Sequence, residues 1–134
     1  MKRKENKDRQ QSAPTSERPK ISQRLWEFAG DFIRIGGTLE DRHNRLTAAC
    51  SAWNMACNTP ELRKKHLDHY VRGYGNFNPD ANAEHLANVR KDMERLIETK
   101  LKMFPDDLRQ VVQARIVSLQ GGERIEAVAI GLQK

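Results

Sequence analysis

The chain has 134 residues, of which 31% are charged and 6% aromatic, and its formal net charge is +6. This length fits one domain, with or without a tail. The sequence contains no run of 18 apolar residues, so it predicts no membrane-spanning helix. The basic N-terminus lacks the apolar stretch of a secretory signal. We therefore expect a small cytoplasmic protein.

Basic charge is concentrated at the N-terminus. Residues 1–20 contain seven of the 24 Lys and Arg residues but three of the 18 Asp and Glu residues. Such a polar segment cannot bury enough apolar surface to offset the entropy lost on ordering. We expect residues 1–20 to be a disordered basic tail and residues 21–134 to be a single helical domain. A phosphate-contacting arm is the alternative role of the tail.

Four helices are predicted from the spacing of apolar residues. These residues recur every three or four positions in each segment, as expected when one face of a helix is buried. Glycine pairs and prolines indicate where the helices end. The predicted ranges are 22–35, 38–57, 60 to about 71, and about 81–103.

The second predicted helix holds the expected centre of the core. Thr38 can accept a hydrogen bond from an unpaired amide at the helix start, and Asp41 completes a variant of the capping box. Trp53 lies on the apolar face between small residues, which allow another helix to approach closely. We predict that Trp53 is a buried core residue rather than a platform for a ligand.

The two cysteines, Cys50 and Cys57, lie seven residues apart on the same predicted helix. Two helical turns separate their Cα atoms by about 10 Å. Because a disulfide needs a Cα separation below about 7 Å, we expect two free thiols. Free buried thiols are typical of a reducing cytoplasm.

The third predicted helix is followed by a predicted loop. Leu62 and His66 mark the expected apolar face of this helix. Residues 72–80 are rich in Gly, Asn and Pro, a composition typical of loops. We expect Tyr74 and Phe77, within this loop, to pack onto the core.

The C-terminal region has two interpretations. Residues 106–119 are dense in β-branched side chains, which favour strands. Gly121-Gly122 follows, and then residues 124–130 alternate, so the pattern indicates a β-hairpin. We predict an α+β fold, mainly α, with four helices in a small bundle and a C-terminal β-hairpin. The alternative is an all-α fold with a fifth helix at about 106–119.

Three histidines are candidate metal ligands. His66 and His69 are three residues apart on one predicted helix, a spacing that can bring two imidazoles near one ion. His85 could join them if the third and fourth helices pack side by side. The sequence HLDH differs from the HExxH motif of metalloproteases, and neither cysteine is near in sequence. We expect no bound metal or cofactor, with His-based metal binding as an alternative.

A second group of residues mixes cations with an aromatic ring. Arg63, Lys64 and Lys65 form a basic run, and Arg72 and Tyr74 follow it. Proteins that bind single-stranded nucleic acid combine these residue types. These five side chains are our candidates for contact with a nucleic acid or with an acidic partner.

The sequence shows no pattern that points to catalysis. Asp106 and Asp107 have no spaced partner carboxylate, and we expect both to lie on the surface. The two glycine pairs match neither a P-loop nor a dinucleotide-binding loop. By elimination, we expect a non-enzymatic protein–protein interaction module. The alternatives are a nucleic-acid-binding accessory protein that uses the tail and the Arg63–Arg72 region, and a His-based metal protein.

Overall fold

The computed structural model describes residues 20–131, which form four helices and one hairpin, as the sequence predicts. The fold class is therefore α+β, mainly α. The predicted tail, except for Lys20, lies outside the described residues. The elements are α1 (Ile21–Ile33), α2 (Leu39–Ala56), α3 (Pro60–Phe77), α4 (Ala83–Met103), β1 (Gln110–Leu119) and β2 (Gly122–Ile130). Within residues 20–131, no helix is long and apolar enough to cross a membrane.

The connection between α1 and α2 follows the predicted end signals. α1 ends at Ile33, two residues earlier than predicted, and Gly36 and Gly37 adopt positive φ angles of 135° and 92°. The Thr38 hydroxyl then accepts a hydrogen bond from the Asp41 amide at 3.1 Å, and the Asp41 carboxylate accepts one from the Thr38 amide at 3.0 Å. The backbone hydrogen bond from Thr38, followed by that with its side chain, lowers the pKa of Asp41.

Trp53 is the centre of the core, as predicted, with 0% of its surface exposed. Its ring meets Phe28 edge-on at a centroid distance of 5.6 Å and Phe104 at 5.9 Å. The indole nitrogen donates a hydrogen bond of 2.7 Å to the carbonyl oxygen of Arg109. Trp53 thus connects α1, the end of α4 and the start of the hairpin.

The loop predicted at residues 72–80 is wrong in its first two thirds, because α3 continues to Phe77. Two glycines lower helix propensity by about 1 kcal/mol each, but packing of α3 against α4 overrides this cost. A Cβ at Gly75 would lie 3.4 Å from Leu86 Cδ1, so this glycine permits the close contact. Phe77 is 89% exposed and does not pack onto the core, contrary to the prediction.

The buried face of α3 also differs from the predicted one. Leu62 and His66 are exposed, and the buried residue of this helix is Leu67. Tyr70 and Val71 pack partly buried beside the same core. The buried side of α3 therefore lies one position further along the helix than predicted, because Leu67 and not His66 packs against the core.

The C-terminal strands pair antiparallel, which excludes the fifth helix at 106–119. A bulge lies between Val111 and Gln113. Ile116 and Ile125 face each other across the two strands and are both buried against the helices. β1 packs against α2 and β2 packs against α1, so the hairpin covers one side of the helical core.

A charged cluster lies inside the junction of α1, α4 and the hairpin. Asp107, predicted to lie on the surface, is 1% exposed, and Lys100 is 0% exposed. The Asp107 carboxylate accepts hydrogen bonds from Arg24 at 2.9 Å and from Arg109 at 2.6 Å. The Lys100 ammonium donates to the Asp107 carbonyl oxygen at 2.6 Å and lies 4.8 Å from the Trp53 ring centroid. Each buried charge here has a hydrogen-bond partner, as the cost of desolvation requires: two guanidinium groups for the Asp107 carboxylate and a carbonyl oxygen for the Lys100 ammonium.

Candidate functional site

The basic run at the start of α3 does not form one free patch. Arg63 folds back onto the end of α2, where its guanidinium donates to the carbonyl oxygens of Ala56 at 3.3 Å and Asn58 at 2.9 Å. Ala56 is the last residue of α2 and Asn58 follows the helix, where carbonyl groups have no partner inside the helix, so Arg63 stabilises the helix end. We conclude that Arg63 has a structural role, which its position in a basic run did not indicate.

Lys64 is also paired. Its ammonium lies 2.9 Å from one oxygen of Asp68, and the Arg90 guanidinium lies 2.7 Å from the other. Hydrogen bonds from Lys64 and Arg90 lower the pKa of Asp68, so the carboxylate stays ionised and contacts both cations. This network joins α3 to α4 and holds the Lys64 ammonium in a contact within the protein.

The outer face of α3 carries the remaining candidates, which are Lys65, His66, His69 and Arg72. All four are exposed and border a shallow depression of about 540 Å³. His66 Nδ1 lies 3.4 Å from the side-chain nitrogen of Asn58. Within residues 20–131, neither Lys65 nor Arg72 forms an ion pair. This face therefore offers two free cations and two histidines.

His85 is separated from the other two histidines. Its Nε2 atom lies 3.1 Å from the Tyr74 hydroxyl, and the two rings meet edge-on at 5.5 Å. His85 and Tyr74 face a different depression from the one that His66 and His69 border. Among the described residues, no group of three or more His, Cys, Asp or Glu side chains is arranged to hold a metal ion.

Tyr74 and His85 instead border a cleft to which all four helices contribute. This tyrosine cleft has a volume of about 370 Å³. Its apolar side chains come from three helices and one turn. They are Phe32 from α1, Ile35 from the turn after α1, Ala48 from α2, and Val89 and Met93 from α4. Its aromatic wall is Tyr70 and Tyr74 from α3, and its polar rim includes Asp41, Asn44, His85, Asn88 and Asp92.

The lining of the tyrosine cleft is graded from buried to exposed. Met93 is buried at the bottom, Phe32 and Tyr70 are half-buried, and Ile35 is 71% exposed at the mouth. Burial, followed by the neighbouring Tyr74, raises the pKa of Tyr70, so its hydroxyl keeps its proton at neutral pH. The cleft thus combines apolar and aromatic surface with a few polar groups, as binding sites usually do.

The cation at the rim is already occupied, whereas the carboxylates are accessible. The Arg45 guanidinium donates to the carbonyl oxygen of Ile33, the last residue of α1, and to that of Gly36 in the turn that follows. Asp92 has a side chain 48% exposed and a contact of 3.5 Å with Arg95 on the outer surface. Asp41 and Asp92 outnumber Arg45 among the residues that line the cleft, so its rim carries a net formal charge of −1.

Sequence reasoning found Tyr74 and His85 but assigned them to different sites. It missed the cleft because its walls come from four helices that are distant in sequence. One signal was available in the sequence: Ile35 is a large apolar residue directly before two glycines, beyond the buried stripe of α1. No family model, no curated protein and no solved structure matches this chain.

Proposed function

We propose that this protein is a non-enzymatic protein–protein interaction module and that the tyrosine cleft is its docking site. The observation that carries the proposal is an open apolar cleft with a negatively charged rim. The two free cysteines suit a reducing cytoplasm, which is where we place the protein.

The expected partner is a protein segment with a large apolar side chain beside a basic one. The apolar side chain would enter between Ile35 and Tyr70, because burying that surface supplies most of the binding free energy. The basic side chain would meet Asp92, which also discriminates against acidic segments. The tyrosines fit this role, since they give large contact area with few rotatable bonds.

The proposal is tested by selecting a random peptide library for binding to the full chain. We expect the selected peptides to share an apolar anchor next to Lys or Arg. Their affinity, measured by fluorescence anisotropy, should fall at least tenfold in Ile35→Glu. Leu62→Glu is the control, because Leu62 is also an exposed apolar residue, at 44%, and lies on α3 outside the cleft.

Asp92→Asn tests the charge at the rim. It should weaken peptides with a basic flank and leave peptides with an apolar anchor alone unchanged. The proposal is wrong if the selected peptides are acidic, or if Ile35→Glu binds them as tightly as the unaltered chain does.

A second candidate function, binding to nucleic acid, is favoured by the exposed cations Lys65 and Arg72 on the outer face of α3, which form no ion pair within residues 20–131. It ranks second because Arg63 and Lys64 are occupied by contacts within the protein. The affinity for random RNA or DNA should then fall with salt concentration, and Lys65→Glu with Arg72→Glu should reduce the slope of that dependence by about two.

The matched control for this pair is Lys91→Glu with Lys102→Glu, two exposed cations on α4. Equal slopes for the two double variants would remove the outer face of α3 as a nucleic-acid interface.

A further inference from the structure

The two outer edges of the hairpin are not equivalent. On the β1 side, the Asn54 side chain accepts a hydrogen bond from the Val111 amide at 2.8 Å and donates one to the Val111 carbonyl oxygen at 2.9 Å. His43 Nε2 accepts a hydrogen bond from the Ile116 amide at 3.0 Å. Two side chains of α2 therefore occupy backbone groups that would otherwise be open for another strand.

The direction of the Ile116 amide also shows which backbone groups of β2 point away from β1. Because this amide points to His43, Ile116 and its partner Ile125 are a pair without mutual hydrogen bonds. The backbone groups of Ile125 and of every second residue from it point away from β1 for the same reason. These residues are Glu123, Ile125, Ala127 and Ala129. Within residues 20–131, no hydrogen bond to the outward backbone groups of these four residues is formed.

An open groove of about 480 Å³ runs beside this free edge. One wall is formed by residues 123–127 of β2, and the other by the start of α1, including Gln23 and Trp26. An added strand pairs with an exposed sheet edge mainly through backbone hydrogen bonds, and its side chains decide which sequence fits. The charges on β2 therefore indicate the occupant.

We infer that the free edge of β2 pairs with β2 of a second copy of this chain, antiparallel and about a two-fold axis at Ile125. Arg124 then lies opposite Glu126 of the second copy, and Glu126 lies opposite the Arg124 of that copy. These positions are close pairs, in which opposite charges stabilise the sheet. About six backbone hydrogen bonds form along the edge, and two hairpins become one four-stranded sheet.

The alternative registers fit less well. An axis at Arg124 or at Glu126 would place two like charges directly opposite each other, which destabilises strand pairing. An axis at Ala127 would leave both charges opposite apolar side chains. Arg124 is available for the new contact, because its side chain is 62% exposed and its distance to Glu126 of the same strand is long, at 3.5 Å. Glu126 accepts hydrogen bonds from Arg115 of β1 through Oε1 at 2.8 and 3.1 Å, so Oε2 is the oxygen that would meet Arg124 of the second copy.

The interface is small, because it consists of one strand edge and its flanks. Stable dimers bury a total of about 1,200–2,000 Å². We therefore expect association in the micromolar range and an equilibrium between monomer and dimer. This surface is separate from the tyrosine cleft, so the inference does not depend on the proposed function.

Sedimentation equilibrium of the full chain across the micromolar range tests this inference. The unaltered chain should show reversible dimers, and Arg124→Glu should raise the dissociation constant about 10- to 30-fold, since two attractive pairs become repulsive. Arg95→Glu is the matched control. Arg95 is exposed and has the same distance, 3.5 Å, to a neighbouring carboxylate, but it lies on α4.

Disulfide trapping tests the register directly. An equimolar mixture of Arg124→Cys and Glu126→Cys chains should form a cross-linked dimer on mild oxidation, because the two positions are opposite each other. Each variant alone should form much less, since its own positions are diagonal, about 7–8 Å apart. The unaltered chain controls for Cys50 and Cys57.

Three results would overturn the inference. The first is a full chain that is monomeric across the micromolar range. The second is a dimer that Arg124→Glu leaves as stable as Arg95→Glu does. The third is a mixture of the two cysteine variants that cross-links no better than either variant alone.

Discussion

Replacement of Asp107 by Ala is the most demanding test of the fold. The carboxylate accepts hydrogen bonds from Arg24 and from the side chain and amide of Arg109, and its side chain is fully buried. Without it, the Arg24 guanidinium would lose the carboxylate oxygen that it shares with Arg109. Breaking a buried ion pair by removing one partner costs about 3–5 kcal/mol. This is a large part of the roughly 5–15 kcal/mol that stabilises a typical domain.

Lys100→Met provides the matched comparison. It removes a buried cation of similar length and leaves Asp107 with both arginines. Because burial lowers the pKa of Lys100, the folded protein already disfavours its charged form. Lys100 donates to a backbone carbonyl oxygen, so its replacement breaks a buried hydrogen bond and leaves the Asp107 carboxylate with its arginines. We therefore expect Lys100→Met to cost about 1–3 kcal/mol, the cost of leaving the Asp107 carbonyl oxygen without this donor, and less than Asp107→Ala costs.

The pH dependence of stability provides an independent measurement. Burial acts to raise the pKa of Asp107, but hydrogen bonds and charges from Arg109, with the charge of Arg24, outweigh it, and the pKa is lowered. A lowered folded pKa means that the carboxylate contributes stability above its unfolded pKa of about 3.9, and that this contribution is lost as the pH falls through the folded value. Asp107→Asn should flatten the decline in unfolding free energy below about pH 5.

Urea denaturation followed by far-UV circular dichroism gives these free energies. A loss below 1 kcal/mol for Asp107→Ala would refute the reasoning, as would an equal loss for Lys100→Met. An unchanged acid dependence in Asp107→Asn would show that the carboxylate is not held ionised by its arginines.

Three further predictions concern the core and the helices. Trp53→Ala should cost about 3–5 kcal/mol in unfolding free energy, because the ring is fully buried; a loss below 1 kcal/mol would place the ring outside the core. Burial raises the pKa of the Cys50 thiol to about 12, so iodoacetamide at pH 8 should modify Cys50 in the folded protein far more slowly than in urea, and equal rates would contradict its burial. Gly73→Ala should stabilise α3 by about 0.5–1 kcal/mol, since a Cβ there has open space. Gly75→Ala should gain less, because its Cβ would press on Leu86, and a larger gain than at Gly73 would contradict the packing.

The predictable parts of this fold are those with local causes. The Thr38 cap, the glycines after α1 and the alternation in β2 depend on a few adjacent residues, so the order of elements and the position of Trp53 were correct. The burial of Asp107 was not predictable in this way, because its partner Arg24 is 83 residues distant. The sequence Pro105-Asp106-Asp107 resembles a surface turn until that partner is known.

The candidate sites follow the same division. The basic run of α3 is visible in the sequence. The contacts of Arg63 and Lys64 are not, because they depend on the end of α2 and on Arg90 of α4. The continuation of α3 through two glycines depends on its packing against α4, which is distant in sequence. The tyrosine cleft exists only where four helices converge, and no single segment encodes it.

The contact of Asn54 with Val111 has a consequence for how this chain folds. The side-chain amide imitates the backbone of a neighbouring strand, so α2 acts as a template for β1. The bulge lies next to Val111, so the contact with Asn54 also fixes its position. A shift of the strand register by one residue would turn Ile116 and Ile125 toward water. The hairpin acquires its alignment from a helix that ends more than fifty positions earlier, and we expect ordered strands only after that helix has formed.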